Sequence, residues 1–457
     1  MQSASSTSIV TDKGSIRAMA FSVSEQSAQN SHPLARIKDN RIRGGVFGRI
    51  SLYLFWCGII IFFVGSVVGP QFNPIFLKLG YLGVAVMVAI SILGVGERWH
   101  KVTPELCVFW GFCVWALITG AVVALNLGLF LKGTERVIQI AVIAFCVTGA
   151  SARLRSPAFG LGSVLVVAIL LGIYGLATGD IGSFTEMQTT QSGSLTGVRS
   201  TSMVQNANSL GVNAVWGLVA VTYFTTISRR HWVKILLWCC IPILVYSMLA
   251  SGSRKALLLP AIYLIAWIWF CHRKLIFQRW QSMIPILVLG ATLYWGMPWV
   301  MENTFVGYRM KRSVDMEHQD GSTEYRVAMY KQAIKLTAEH PFAGIGLYQW
   351  SIYSPGLGGY AHNDYGEVAA STGIFGLILY LLPYGMATRR LQLLRKTTFD
   401  MEYARAGICL ALLTTIAAAG FGQVLFLSQT YWVLVGSVWG YAYGVQPRLS
   451  LPAKRFA

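Results

Sequence analysis

Three stretches of this chain gather side chains that can do chemistry. The first is Gly359-Tyr360-Ala361-His362-Asn363-Asp364-Tyr365-Gly366-Glu367, which runs straight into the apolar segment 368–383. A histidine, an amide and two carboxylates at the lip of a membrane helix are costly unless they face protein, water or a ligand. Asn363 is a good helix cap, and Asp364 and Glu367 suit a first turn. That plain reading leaves His362, a side chain able to exchange protons near neutrality, without a reason to be there. The second stretch is the turn Ser251-Gly252-Ser253-Arg254. A guanidinium beside helix-start amides and two serines makes a phosphate-sized anion site, with interfacial snorkelling as the alternative. The third runs from Arg199 to Gln205-Asn206-Ala207-Asn208. Here amides at a helix start suit an anionic or hydroxyl-rich ligand, while a lone loop arginine is ordinarily just solvated.

The elements that must position these residues are membrane helices. The chain has 457 residues, 54% hydrophobic and 12% charged, roughly half the charge of a soluble domain. We therefore expect an all-α polytopic membrane protein. Its spans, about 12 transmembrane helices, lie near 50–68, 76–95, 104–125, 131–149, 158–177, 207–227, 234–250, 256–270, 283–301, 363–385, 405–424 and 429–446. Those near 131–149, 234–250 and 256–270 are the weakest. Residues 1–45 read as a disordered cytoplasmic tail with no cleavable leader. Residues 46–301 carry nine helices, 302–362 one large periplasmic or outer loop, 363–446 three more helices, and 447–457 a second cytoplasmic tail. With the N-terminus inside, about two-thirds of the Lys and Arg fall in inner segments, so the net charge of +19 is topological. Nucleic acid needs no place in this account.

Other features carry less. Lys132, Glu135 and Arg136 enter the outer half of their span; Glu135 and Arg136 pair with each other or snorkel, and a cation facing an anionic ligand is the alternative. Asp315, Glu317, His318 and Asp320 form an acidic loop cluster too poor in ordered oxygen ligands for a hard metal. In 325–339 the periodicity predicts an amphipathic helix, with Val327, Tyr330 and Ile334 on one face and Lys331, Lys335 and Glu339 on another, lying on the membrane or over a cavity. Pro341 ends it after His340, whose plain role is at the helix C-terminus, and glycines 344 and 346 permit a tight turn. Aromatics at 348, 350, 353, 360 and 365 suit sugar stacking or an interfacial belt. The eight cysteines show no metal spacing and none lies in an outer loop, so neither zinc nor disulfides are expected.

Asn206-Ala207-Asn208-Ser209-Leu210-Gly211, Ser251-Gly252-Ser253-Arg254, and the pair His340-Pro341-Phe342-Ala343-Gly344-Ile345-Gly346 with Ala361-His362-Asn363-Asp364-Tyr365, followed by Thr372-Gly373-Ile374-Phe375-Gly376-Leu377, together resemble the O-antigen ligase/polymerase superfamily of membrane glycosyltransferases. In order and spacing the likeness covers roughly 195–385. It implies transfer of a glycan from an undecaprenyl-pyrophosphate-linked donor to a glycan or glycolipid acceptor at the outer face of the bacterial inner membrane, without cofactor or metal. By position, His362 would be the general base, and Arg254, with Arg199, would hold the pyrophosphate; Asn208, Asn363 and His340 would bind substrate. Ala207 stands where Pro is frequent, and Gly366-Glu367 replaces more apolar residues. The rival class is a transporter or flippase of the same lipid-linked material, which would keep its charges at mid-membrane and often show repeated halves; neither feature is apparent.

Overall fold

The structure, a computed structural model, describes residues 45–63, 65, 74–93, 102–178, 187–189, 195–197, 207–272, 284–304, 306–307, 310–311, 321–398 and 400–446. Arg199, Asn206 and the 315–320 cluster lie outside the described residues. The chain divides into two units, 1–52 with 95–97, and 53–94 with 98–457. In the first the described residues, 45–52, are helical.

The described helices are α1 Gly45–Phe63, α2 Pro74–Leu93, α3 Pro104–Val123, α4 Leu127–Leu154, α5 Ala158–Thr178, α6 Ala207–Ile227, α7 His231–Ala250, α8 Arg254–Trp267, α9 Ile284–Asn303, α10 Gly321–Glu339, α11 Trp350–Tyr353, α12 Asp364–Thr397, α13 Asp400–Gly420 and α14 Gln429–Gly444. Every expected span has its helix. Among the described residues eight helices are long and apolar enough to cross a membrane, including the three weakest in sequence, α4, α7 and α8 with its π-helical end Ile268–His272. α12 continues to Thr397, well past the expected end of its span. A short antiparallel hairpin, β1 Met187–Thr189 with β2 Leu195–Gly197, interrupts the polar loop. Its Gln- and Thr-rich strands have no apolar alternation to announce them.

Local chemistry sets the helix ends. Thr103 caps α3 by accepting from the Leu106 N–H, with Pro104 in the first turn, and Asn126 caps α4 through the Leu129 N–H. In the core, α14 lies along α4 and α12 along α3. Gly436, Gly440 and Gly444 form the small-residue stripe that lets α14 approach α4: a methyl at Gly440 would stand 2.2 Å from the Thr148 carbonyl oxygen. Phe109, Phe112, Tyr380, Trp432 and Trp439 fill the space between these four helices. Glu105, fully buried, pairs with Arg390 at 2.6 Å.

Two expectations change. Glu135 and Arg136 do not pair with each other: Arg136 donates to Gln139 Oε1 at 3.1 Å, while the Glu135 carboxylate accepts from Tyr81 and Gln139. On α10 the apolar residues Val327, Tyr330 and Ile334 are exposed, and the buried stripe is Met329, Ala333 and Leu336. That stripe packs with Ile345, Trp350, Ala361 and Ala370, so α10 lies over the start of α12. The exposed apolar stripe suits a lipid surface, while the opposite stripe packs on protein.

α12 is broken at Gly373 (φ 74°, ψ 178°). The loop after α10 repairs the break. Ile345 and Gly346 donate to the Ala370 and Ser371 carbonyls, the Trp115 indole donates to the Thr372 carbonyl, and the Ile374 N–H finds the Pro341 carbonyl. A side chain at 373 has no room, since a Cβ would stand 2.1 Å from the Phe342 carbonyl oxygen. Gly373→Ala should therefore destabilise the protein by more than the about 1–3 kcal/mol of backbone strain alone. Gly385→Ala, in open space on the same helix, should be neutral or stabilising. Thermal unfolding in detergent distinguishes the two; equal midpoints for both variants would contradict the repaired break.

Candidate active site

The lip of α12 is built from its own polar residues. Asn363 caps the helix, its Oδ1 accepting from the Gly366 N–H at 2.9 Å, while its Nδ2 reaches the Phe421 carbonyl at 3.5 Å. Asp364 and Glu367 are not solvated first-turn acids; they are 1% and 3% exposed. Asp364 Oδ1 accepts from the N–H groups of Leu425 and Phe426 at 2.7 and 2.8 Å, and its other oxygen takes a hydrogen bond from Tyr380. Glu367 Oε2 accepts from the Ala361 N–H at 2.6 Å. One acid thus ties the 421–428 loop to the helix, and the other ties down the residue before His362.

His362 has φ +53°, a left-handed conformation that costs about 1–2 kcal/mol for an ordinary residue. Glu367 on one side and the Asn363 cap on the other hold it there. Its half-buried ring packs at a tilt of 51° against Tyr360, with centroids 4.3 Å apart. Burial, then the positive charges of Arg326 and Lys255, push the imidazole down to about 4. It is therefore neutral at physiological pH, with a lone pair to offer.

Three segments far apart in the chain supply this environment. Lys255 sits in the first turn of α8, its stem against Gly422, where an added Cβ would lie 2.7 Å from Lys255 Cε. Arg326 comes from α10. Arg254 precedes Lys255 and acts on it electrostatically, as Arg326 does. The charges bearing on His362 are thus Arg326 and Lys255, with Arg254 linked to the cluster through Lys255. In the turn before α8, Ser251 and Ser253 are buried, and Ser251 Oγ is engaged with the Met248 carbonyl and the Ser253 N–H. Asn208, half-buried in the first turn of α6, is brought to this turn because Gly211 packs directly on Ser251 and Ala256. His340 lies at the end of α10 with its ring against Tyr353 at 5.7 Å.

Arg326 and Lys255 escaped the reading of the sequence, although a signal existed for each. Arg326 falls in register with Met329, Ala333 and Leu336, so a correct choice of buried stripe would have turned it inward. Lys255 was overshadowed by its neighbour, yet both share the first turn of one helix.

This is an all-α polytopic membrane protein in which Lys255 and Arg326, from separate helices, act electrostatically on His362. Residues 236–381 match the family model described as O-antigen ligase, which supports the O-antigen ligase/polymerase superfamily and a membrane glycosyltransferase of that kind. The matched stretch carries Arg254, Lys255, Arg326, His340, His362 and Asn363. No curated protein matches the chain.

Glu367 should matter through geometry. Glu367→Ala strands the buried Ala361 N–H and should cost about 1–3 kcal/mol, whereas Glu367→Gln keeps an acceptor and should retain most of that stability. Unfolding midpoints of the two purified variants check this; equal losses would mean the carboxylate is not holding the turn.

Proposed function

We propose that the chain transfers a glycan from an undecaprenyl-pyrophosphate-linked donor to a sugar hydroxyl of a glycan or glycolipid acceptor, as a ligase or polymerase of O-antigen, lipopolysaccharide or exopolysaccharide. The reaction belongs on the outer face of the bacterial inner membrane, with both termini cytoplasmic and residues 302–362 forming the outer loop. The observation that carries this reading is the convergence of Lys255, Arg326 and His362 from separate segments. A neutral imidazole beside two cations is a proton acceptor beside an anion cradle.

In the step itself the acceptor oxygen attacks the anomeric carbon, its proton passes to His362, and the bond from that carbon to the pyrophosphate oxygen breaks. One displacement inverts the anomeric centre. The leaving group departs as undecaprenyl pyrophosphate, and Lys255, Arg326 and Arg254 offset its charge as a fixed electrostatic clamp. That clamp supplies the role a metal ion would otherwise fill, so no metal enters the scheme. The same clamp tunes the base: burial first, and then the charges of Arg326 and Lys255, hold the imidazole down to about 4, and a bound pyrophosphate offsets the charge part of that depression and raises the ring's affinity for a proton. Asn363 serves by positioning His362, Asn208 by lying beside the Arg254 turn, and Arg199 is retained as a second cation for the pyrophosphate.

Purified His362→Ala should lose about 10²–10⁴-fold in kcat while still binding donor. Lys255→Gln combined with Arg326→Gln should chiefly raise the donor KM. Wild-type turnover in His362→Ala would remove it as the base, and an unchanged KM in the double variant would remove the cradle.

A further inference from the structure

A cavity of about 350 Å³ lies between α2, α4 and the start of α14, within the range of small-molecule sites. All its lining residues except Tyr348 fall outside the stretch 236–381 that the family model matches. Its polar groups are organised as a network. Glu135 Oε1 accepts from the Tyr81 hydroxyl at 2.7 Å and from Gln139 Nε2 at 2.9 Å. Gln139 Oε1 in turn accepts from Gln429 Nε2 at 2.9 Å and from Arg136. Three helices thus contribute to one ordered chain of donors and acceptors. Lys132 also faces the cavity, and among the described residues neither it nor Glu135 is in an ion pair.

We propose that this cavity is a saccharide subsite. Sugar hydroxyls both donate and accept, and they match a wall that offers a carboxylate, amides and an ammonium in fixed positions. The rings of Tyr81 and Tyr348 supply the flat apolar surfaces that sugar C–H groups stack against. The cavity is also joined to the proposed catalytic side by two short backbone segments. Tyr348 follows Gly346, whose N–H helps repair the α12 break, and Leu347 and Tyr348 pack on Gly133 of α4. Gln429 follows the 421–428 loop, which backs Lys255 and is tied to Asp364. A glycan lying in the cavity therefore sits at the far end of two segments that brace α12, one of which also backs Lys255. Its place in the reaction rests on the glycan-transfer reading; saccharide binding does not.

Val84, which lines the cavity outside the polar network, allows a steric test. The probe is the mixture of free oligosaccharides released by mild acid from the producing cell's own surface polysaccharide. Saturation-transfer NMR on the full-length protein in nanodiscs should detect binding to wild type and to His362→Ala. Binding should fall at least tenfold in Val84→Trp and in Gln139→Leu, with unfolding midpoints close to wild type. Equal binding by wild type and both correctly folded variants would overturn the subsite and leave the transfer reading standing. Loss of binding in these variants from a protein that shows no glycan transfer would keep the subsite and sink that reading. If native mass spectrometry found a phospholipid bound to wild type and lost from Val84→Trp, with no oligosaccharide signal in either, the cavity would be a lipid site and the proposal wrong.

Discussion

A peptide group buried away from water must find a hydrogen-bond partner, and that requirement organises the active end of this protein. At the break at Gly373 the carbonyls of Ala370, Ser371 and Thr372 and the N–H of Ile374 find partners outside the helix, in the loop 341–346 and the Trp115 indole. The loop therefore has one place to lie, and α10, which leads into it, is carried over the start of α12. Arg326 rides on α10, so a backbone requirement at one position places a cation near His362.

The two buried acids extend the same logic. A carboxylate inside a membrane protein is tolerable when its lone pairs are taken up by fixed donors. Asp364 takes N–H groups from the 421–428 loop, and Glu367 takes one from the residue before His362. Neither acid is offered to the cations of the pocket: their partners are backbone amides and hydroxyls. Lys255 and Arg326 act electrostatically on His362. Gln349 adds a further brace, with its buried amide bonded both ways to the backbone of Asn126.

Much of the architecture was legible because hydrophobic length is a strong signal; each of the twelve spans has its helix. The lip at 359–367 was legible as well, since polar residues at a membrane helix start demand an explanation. What the composition could not convey was where each polar group points. Asp364 and Glu367 look like ordinary first-turn acids until their partners, 61 and six residues away, are seen. On α10 the sequence marked Val327, Tyr330 and Ile334 as the apolar face, but the stripe that packs on protein is Met329, Ala333 and Leu336. In a bilayer, exposed apolar residues are no misfit, so size and hydrophobicity do not reveal which stripe faces protein. That inversion hid Arg326. The pairing of Glu135 with Arg136 failed for a related reason: neighbours in sequence point to different faces of a helix, and Gln139, one turn on, was the better partner for both.

The central claim is that groups from α8, α10 and the lip of α12 share one electrostatic pocket. Histidine-selective isotope labelling of the full-length protein, with His362→Gln to assign the resonance, reads that pocket through the protonation of a single ring. The account predicts that at pH 5.5 His362 is neutral in the unliganded protein and that its titration moves to higher pH when inorganic pyrophosphate is added. A ring already protonated at that pH without ligand, or one whose titration does not respond to saturating pyrophosphate, would contradict it.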